Sequence, residues 1–572
     1  MKKTAIKRAL AVLLTVLMLL SMAACAQKSE QQTPGNSQKT EEKKNNETKT
    51  DTKTDTKTED AQNAPEETGV TFPLKEEVTF DLMVRYDGDL EAALAKCAWW
   101  QRLYEQTNVK INFITMPSEN TMGVLNAMFA SEEEGDAILG GSIINEANLS
   151  LMAANGLLMP LNKFVDDVEL MPNINERIFA ESPATKGLMT APDGNIYSLV
   201  KYTGLPGHYM ESPIWLNKVW LDKAGLPVPK TIEELENVLI AFRDGDMNGN
   251  GDATDEIPYL VRSGDSARHF EAILGLWGMA TKDNANDNYC YVENGEVIFA
   301  PGSEAYKDAM ITLNKWYEEG LIWSEAFTAN DETLTAKFSS NTALFGMITG
   351  SNLPAQIIDQ YIILEPVAVE GYEPSWFLHP GLLGTKGMFS VTRSCENPEI
   401  LMAWIDQLYS FENTVALNYG EESDGRWAMV DGKFVANTLT TDEEDRLNAE
   451  APTFAYLILN PPSAFTIADY AERAEMPASE LTGARNYGIY EKYLTDELWP
   501  RPYIAEADVT RLSELRTDIF NTVSLKKAEW ITGESDVEAD WDAYIASLNS
   551  MGVAEFVDIL QRNYDNYLSG QN

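Results

Sequence analysis

The chain reads as an α/β protein built on layered, parallel sheets. Two observations carry that expectation. From Phe72 onward, short β-branched and apolar runs alternate with segments of helical period, the pattern of strands feeding crossover helices. About 500 residues follow the N-terminal region, enough for two or more large lobes.

The elements follow in order. Residues 78–84 alternate as a strand. Residues 97–106, with Trp99, Trp100, Leu103 and Tyr104, have the period of a helix. A second strand is expected at 110–114, a helix at 120–130 and a third strand at 136–139. A helix at 145–155 then stops at Gly156. Further on, a helix over 306–319 shows Met310, Leu313 and Trp316 on one face. Strands at 343–349 and 388–391 and a helix at 399–409 follow.

The N-terminus is read as a processing signal. Lys2, Lys3, Lys7 and Arg8 precede an apolar run over 9–20, too short to span a bilayer comfortably. Ser21-Met22-Ala23-Ala24-Cys25 resembles a lipobox, which makes 1–24 a lipoprotein signal peptide and Cys25 the site of lipid attachment. Several acyl chains, each contributing about 0.8 kcal/mol per buried methylene, would anchor the protein at the membrane. Residues 25–71 contain TKTDTKTDTKTED and almost no large apolar side chains, so they read as a disordered tether.

Composition excludes several functions. The formal charge of −45 disfavours nucleic acid and anionic membrane surfaces. It also argues against a polyanionic substrate unless a local basic patch overrides it. Beyond Cys25 only Cys97, Cys290 and Cys395 occur, which is not a disulfide framework. No Gly-x-Ser-x-Gly elbow, phosphate loop or His-Glu-x-x-His is present. The acidic runs 132–134 and 442–445 read as solvated surface, and no catalytic residue is assigned.

The most specific chemistry lies at 231–259. Thr231 and Glu234 form a capping-box pair ahead of Ile232, Leu235, Val238, Leu239 and Phe242 at helical spacing. Oxygen ligands follow: Asp246, Asn248 and Asn250 alternate, Gly251 permits a sharp turn, and Asp252, Asp255 and Glu256 close the run. Calcium prefers six to eight such hard oxygens. Asp252, seventh from Asp246, would offer its backbone carbonyl. A count from Asp244 also fits an EF-hand spacing, but the Asp246 register puts Gly251 sixth and is preferred. The alternative is a solvated Asn/Gly/Asp turn.

This stretch, with Trp220, Leu221, Asp222, Lys223, Gly225, Leu226, Pro229, Lys230 and Thr231 before it, resembles the family 1 extracellular solute-binding proteins of bacterial ABC importers. It is closest to their oligosaccharide- and alginate-oligosaccharide-binding lipoproteins. The motifs VKINF, GDAIL, GLLMPLNKFVDD, APDGNIYSLV and Asn418-Tyr419-Gly420-Glu421-Glu422 carry the same resemblance, as does Ala528-Glu529-Trp530-Ile531-Thr532-Gly533. It implies a two-lobed, periplasmic-binding-protein-like fold of type II with hinge crossovers. One lobe would comprise 72–200 and 371–425, the other 201–370 and 426–572. It also implies a structural calcium ion, with the choice between Asp255 and Glu256 open because the loop has one extra residue. The implied protein is a monomer on the outer face of the cell membrane. It would deliver a carbohydrate to ABC permease subunits.

Sugar rings present apolar faces and polar edges, so aromatic side chains suit the faces and carboxylates, amides or arginine suit the hydroxyls. The chain has 13 Trp, 23 Tyr and 20 Phe. Most belong to cores; Trp316, Trp404 and Trp541 lie on helical stripes. Ligand contacts are expected in irregular segments beside the crossovers: Tyr202, Tyr209, Trp215, Trp277, Trp376, His379 and Trp427, with Glu211, Arg268 and Glu422 as polar partners. Two competing classes are a surface glycan sensor or adhesin using the same cleft, and a glycosidase with paired carboxylates.

Overall fold

The computed structural model describes residues 69–570, apart from 142, 211, 264–269, 282–287, 341, 351–352, 355, 477 and 496. The expected signal peptide, Cys25 and the tether therefore lie outside the described residues.

Two mixed sheets organise the chain. The first takes β1 (Val78–Arg85), β2 (Val109–Met116), β3 (Ala137–Leu139), β4 (Leu199–Thr203), β11 (Thr385–Val391) and β14 (Ala464–Phe465), in the order β14-β4-β11-β3-β1-β2. The second takes β5 (Ile214–Asn217), β6 (Ile257–Tyr259), β9 (Phe345–Thr349) and β10 (Tyr361–Leu364), in the order β10-β5-β9-β6. Two hairpins complete the strands: β7 (Cys290–Glu293) with β8 (Glu296–Phe299), and β12 (Trp427–Val430) with β13 (Lys433–Ala436).

The α/β class and the early element order match the sequence reading. The purely parallel sheet does not. β1 pairs in parallel with β2 and β3, but β11 runs antiparallel to both β3 and β4. A strand that returns from a distant part of the chain is not bound by the crossover geometry that keeps sequential βαβ strands parallel.

β1 alternates in its first half and is continuously apolar only over Leu82-Met83-Val84. Phe80, Leu82 and Val84 enter one core, while Met83 enters the core on the opposite face. A strand covered on both faces loses the polar alternation of a half-exposed one. The second sheet and the C-terminal helices Glu506–Thr532, Val537–Met551 and Val553–Gly570 share another core with the helix Glu304–Glu318. There Trp530 meets Tyr544 edge-on at 4.8 Å.

The chain leaves the first sheet after Thr203 and returns at Thr385. The expected division assigned 426–572 to the second lobe. The structure sends part of that segment elsewhere: β14 pairs with β4, with Ala464 opposite Tyr202. Phe454, Leu457 and Ile458 join the core of the first sheet, and Phe434 and Ala474 pack with Phe411 and Val415. A two-residue strand carries no periodic signal, so this third passage left no mark in the sequence.

The acidic run 132–134 is likewise not all solvated surface. Glu132 and Glu133 are exposed, but the Glu134 side chain is only 1% exposed. It accepts from Arg393 Nε at 2.8 Å and Ser394 Oγ at 2.9 Å, pinning the turn before β3 to the end of β11. Burial pushes its pKa up, but the bonds from Arg393 and Ser394 outweigh this and hold it below the usual glutamate range. The carboxylate therefore stabilises the fold above the ordinary glutamate pKa. That contribution is lost as pH falls through the lower native value. Glu134→Gln should flatten the acid limb of a melting profile taken between about pH 3 and 6; an unchanged limb would remove this ion pair from the account.

Candidate functional site

Between the two cores lies an open cavity of about 440 Å³. β4 supplies Lys201 and Thr203, and the short helix Pro206–Tyr209 supplies His208 and Tyr209. Thr385 opens β11, Asn418 and Tyr419 end the helix Phe411–Tyr419, and Asn460, Phe465 and Tyr470 come from the third passage. Lys201, Thr203 and Thr385 thus stand where the chain leaves the first sheet and returns to it, and Phe465 lies in β14.

On one side Tyr209 stacks on His379, with ring centroids 6.0 Å apart and planes 17° apart. His379 Nδ1 accepts from Gly381 N at 2.9 Å, which leaves Nε2 to carry the proton of the neutral ring. Gly381 is needed there: an added Cβ would lie 2.5 Å from Tyr209 Cε1 and 2.8 Å from His379 Nδ1. A second part of the lining is aromatic. Tyr419 meets Phe465 edge-on at 6.2 Å, and Phe465 tilts against Tyr470 at 5.8 Å.

Of the expected ligand contacts that lie among the described residues, only Tyr209 lines this cavity, and His379 stacks on it. Tyr202 is buried, and its hydroxyl donates to Glu181 Oε1 at 3.0 Å. Burial first, then the Glu181 charge, drives the phenol well above the usual tyrosine range. Trp215, Trp277 and Trp376 are core residues rather than cleft residues. Trp215 stands in β5 and donates to the Gly350 carbonyl at 2.9 Å. Trp277 ends the 3-10 helix Phe270–Trp277, and Trp376 packs edge-on against Tyr490 at 4.8 Å. The segments read as irregular are ordered by neighbours distant in sequence, and a large indole gains most by full burial. Glu422 is exposed and accepts from Met429 N at 2.9 Å. Trp427 is half-buried against Phe434 and donates to the Gly420 carbonyl. Glu211 and Arg268 lie outside the described residues.

Lys201, Asn460, Phe465 and Tyr470 line the cavity without any local sequence signal, and Tyr419 lies in the motif at 418–422, three residues before Glu422.

The oxygen-rich loop follows the helix Ile232–Asp244, which begins as expected: Thr231 Oγ1 accepts from Glu234 N. Glu234 reaches back one residue further than a capping box requires and accepts from Lys230 N at 2.7 Å. The Asp246 carboxylate accepts from Gly249 N at 2.8 Å and Gly251 N at 3.1 Å, both glycines having positive φ. Asn248 and Asn250 bridge to Asp255 through their amides at 3.0 and 2.7 Å. Glu256 Oε1 accepts from Asn248 N at 3.0 Å, while its Oε2 is buried without a partner. The Asp252 carboxylate turns away to Thr254 Oγ1 at 2.6 Å. Among the described residues no three His, Cys, Asp or Glu side chains converge as a metal cluster. A cage here needs asparagine and main-chain oxygens beside Asp246 and Asp255 or Glu256. The orphaned Glu256 oxygen fits a cation.

Among the described residues no helix is long and apolar enough to cross a membrane. The family model for bacterial extracellular solute-binding proteins matches residues 87–415. Among curated proteins, the fructooligosaccharide ABC transporter substrate-binding protein FusA of Streptococcus pneumoniae is 29% identical over 525 residues, covering 88% of this chain and 93% of FusA. The structure of FusA in complex with kestose superposes with a TM-score of 0.70 at 26% identity, covering 86% of this chain and 99% of FusA. FusA has also been solved as an EF-hand mutant with fructo-nystose. An HMO-binding, ABC-transporter-associated solute-binding protein from Bifidobacterium longum infantis gives 0.72 at 25% identity, covering 86% and 99%. Lipoprotein LipO of Bacillus subtilis is 25% identical over 225 residues, 38% of this chain and 40% of LipO. With a family match over more than half its length and a fold shared along nearly all its described residues, the chain belongs to the bacterial extracellular solute-binding proteins.

Proposed function

We propose that this protein is the lipid-anchored, cell-surface receptor of an ABC importer, and that it captures an oligosaccharide between its two lobes. The observation that carries the reading is a cavity lined by Tyr209, which stacks on His379, and by the aromatic group Tyr419, Phe465 and Tyr470. Flat rings in the lining suit the apolar faces of sugars, and Thr203, Thr385, Asn418 and Asn460 suit their hydroxyls. FusA and the HMO-binding protein, similar in fold over the same span, bind oligosaccharides by their names.

In this reading one lobe comprises the six-stranded sheet with 427–474, and the other the four-stranded sheet with the C-terminal helices. A ligand touching both walls favours the closed state, which permease subunits then recognise. The protein works as a monomer and releases its ligand unaltered. Cys25 carries the lipid. A calcium ion, held by Asp246, Asn248, Asn250, the Asp252 carbonyl and Asp255 or Glu256, braces the 246–256 loop; the EF-hand mutant of FusA supports such a site.

Calorimetric titration with a panel of oligosaccharides tests the reading. Tyr209→Ala should weaken binding by about 2 kcal/mol, roughly thirtyfold in Kd. Ligand recovered cleaved, or affinity unchanged in Tyr209→Ala, would overturn it.

A further inference from the structure

Lys201 is not explained by a cleft built for neutral sugars. It is half-buried in β4, and its Nζ donates to Asn460 Oδ1 at 3.1 Å. An ammonium has three donors, and Asn460 takes one. Among the described residues no carboxylate pairs with it. The described cavity lining contains no carboxylate either, although acidic residues outnumber basic ones 89 to 44 along the chain. Tyr202, the next residue on the strand, points to the opposite face and holds Glu181 there. Glu181 is further engaged by the backbone N–H groups of Ile467 and Ala468.

Burial alone holds the Lys201 ammonium below the ordinary lysine pKa range. A half-desolvated charge without a counter-ion is costly, and the cost is relieved when an anion arrives. Asn460 helps to aim the group, holding a left-handed φ of 51° that asparagine tolerates better than most residues.

We infer that the ligand of this cleft is an acidic oligosaccharide, one carboxylate or sulfate of which sits on Lys201. The inference rests on the oligosaccharide reading above and narrows its substrate class. One lysine matches one anionic group. The net charge of −45 opposes a polyanion, whose further charges would find no second lysine or arginine in the described lining.

The test is calorimetric titration of the full chain in calcium-containing buffer with matched pairs. Sialyllactose and 3′-sulfolactose are set against lactose, and glucuronosyl-xylotriose against xylotriose. At least one acidic sugar should bind ten times or more tightly than its neutral partner, and added sodium chloride should narrow that ratio. The carboxylate and sulfate arms show which acid the site takes. Lys201→Met should bring the ratio close to one, and Lys201→Arg should restore part of it. An unchanged melting temperature for both variants shows that they fold. If neutral sugars bind as tightly as acidic ones, or Lys201→Met keeps the preference, the inference is overturned while the oligosaccharide reading stands. If no sugar of either kind binds, both readings fall.

Discussion

Calcium withdrawal should destabilise the protein by several kilocalories per mole. A ligand at one hundred to one thousand times its Kd stabilises the folded state by about 2.7–4.1 kcal/mol. The loop at 246–256 is where that energy would enter. It already has the turns of a cation loop, with Gly249 and Gly251 at positive φ orienting the Asp246 carboxylate through their N–H groups. Its remaining contacts are substitutes: asparagine amides donate to Asp255, and one buried Glu256 oxygen has no partner. A cation would turn the asparagines over, so that carbonyl oxygens face inward, and would satisfy Glu256. Melting in EDTA should therefore occur several degrees below melting in calcium chloride. Asp246→Ala should melt at the lower temperature in both buffers. Asp244→Asn serves as the control for the alternative register, since the Asp244 side chain pairs with Arg243 outside the loop. Identical melting in both buffers, with no calcium found by elemental analysis, would remove the metal.

Replacing Asp469 by alanine should cost about 3–5 kcal/mol, because it leaves a buried guanidinium without its counter-ion. Arg177 Nη2 lies 2.5 Å from Asp469 Oδ2, and the two side chains are 15% and 4% exposed. The same Nη2 donates to the Ala464 carbonyl at 3.0 Å, while Arg177 Nη1 is buried with no partner. Asp469 also accepts from Thr466 N at 2.9 Å, capping the helix Ile467–Glu472. This pair therefore clamps β14 and the following helix, the elements that carry Phe465 and Tyr470 to the cavity. Asp469→Ala should lower the urea midpoint and also weaken ligand binding. Arg177→Leu with Asp469→Leu should recover much of the stability, because an apolar pair of similar volume pays no desolvation. A single variant as stable as the parent would show that the pair is solvated in solution.

Some features were legible because their causes are local. The caps, the early strands and helices and the turns of the oxygen-rich loop follow from residues within a few positions of one another. Thr231 caps Glu234, and Gly249 and Gly251 turn the chain. The two-faced burial at the end of β1 is written in the short apolar run Leu82-Met83-Val84, and the motifs that mark the family are contiguous. Periodicity reports that a side chain is buried, but not against what. Trp215, Trp277 and Trp376 were placed at the cleft because their segments looked irregular. Pairing with distant strands buried Trp215, packing against Tyr490 buried Trp376, and Trp277 joined the core of the second sheet.

By itself, then, the sequence determined the α/β class, the family and the position of the oxygen-rich loop. Tertiary structure alone decided the antiparallel return of β11, the third passage through β14 and the residues that face the cavity. Each of those depends on a pairing such as Ala464 with Tyr202, made between segments that carry no mutual signal until the sheet assembles.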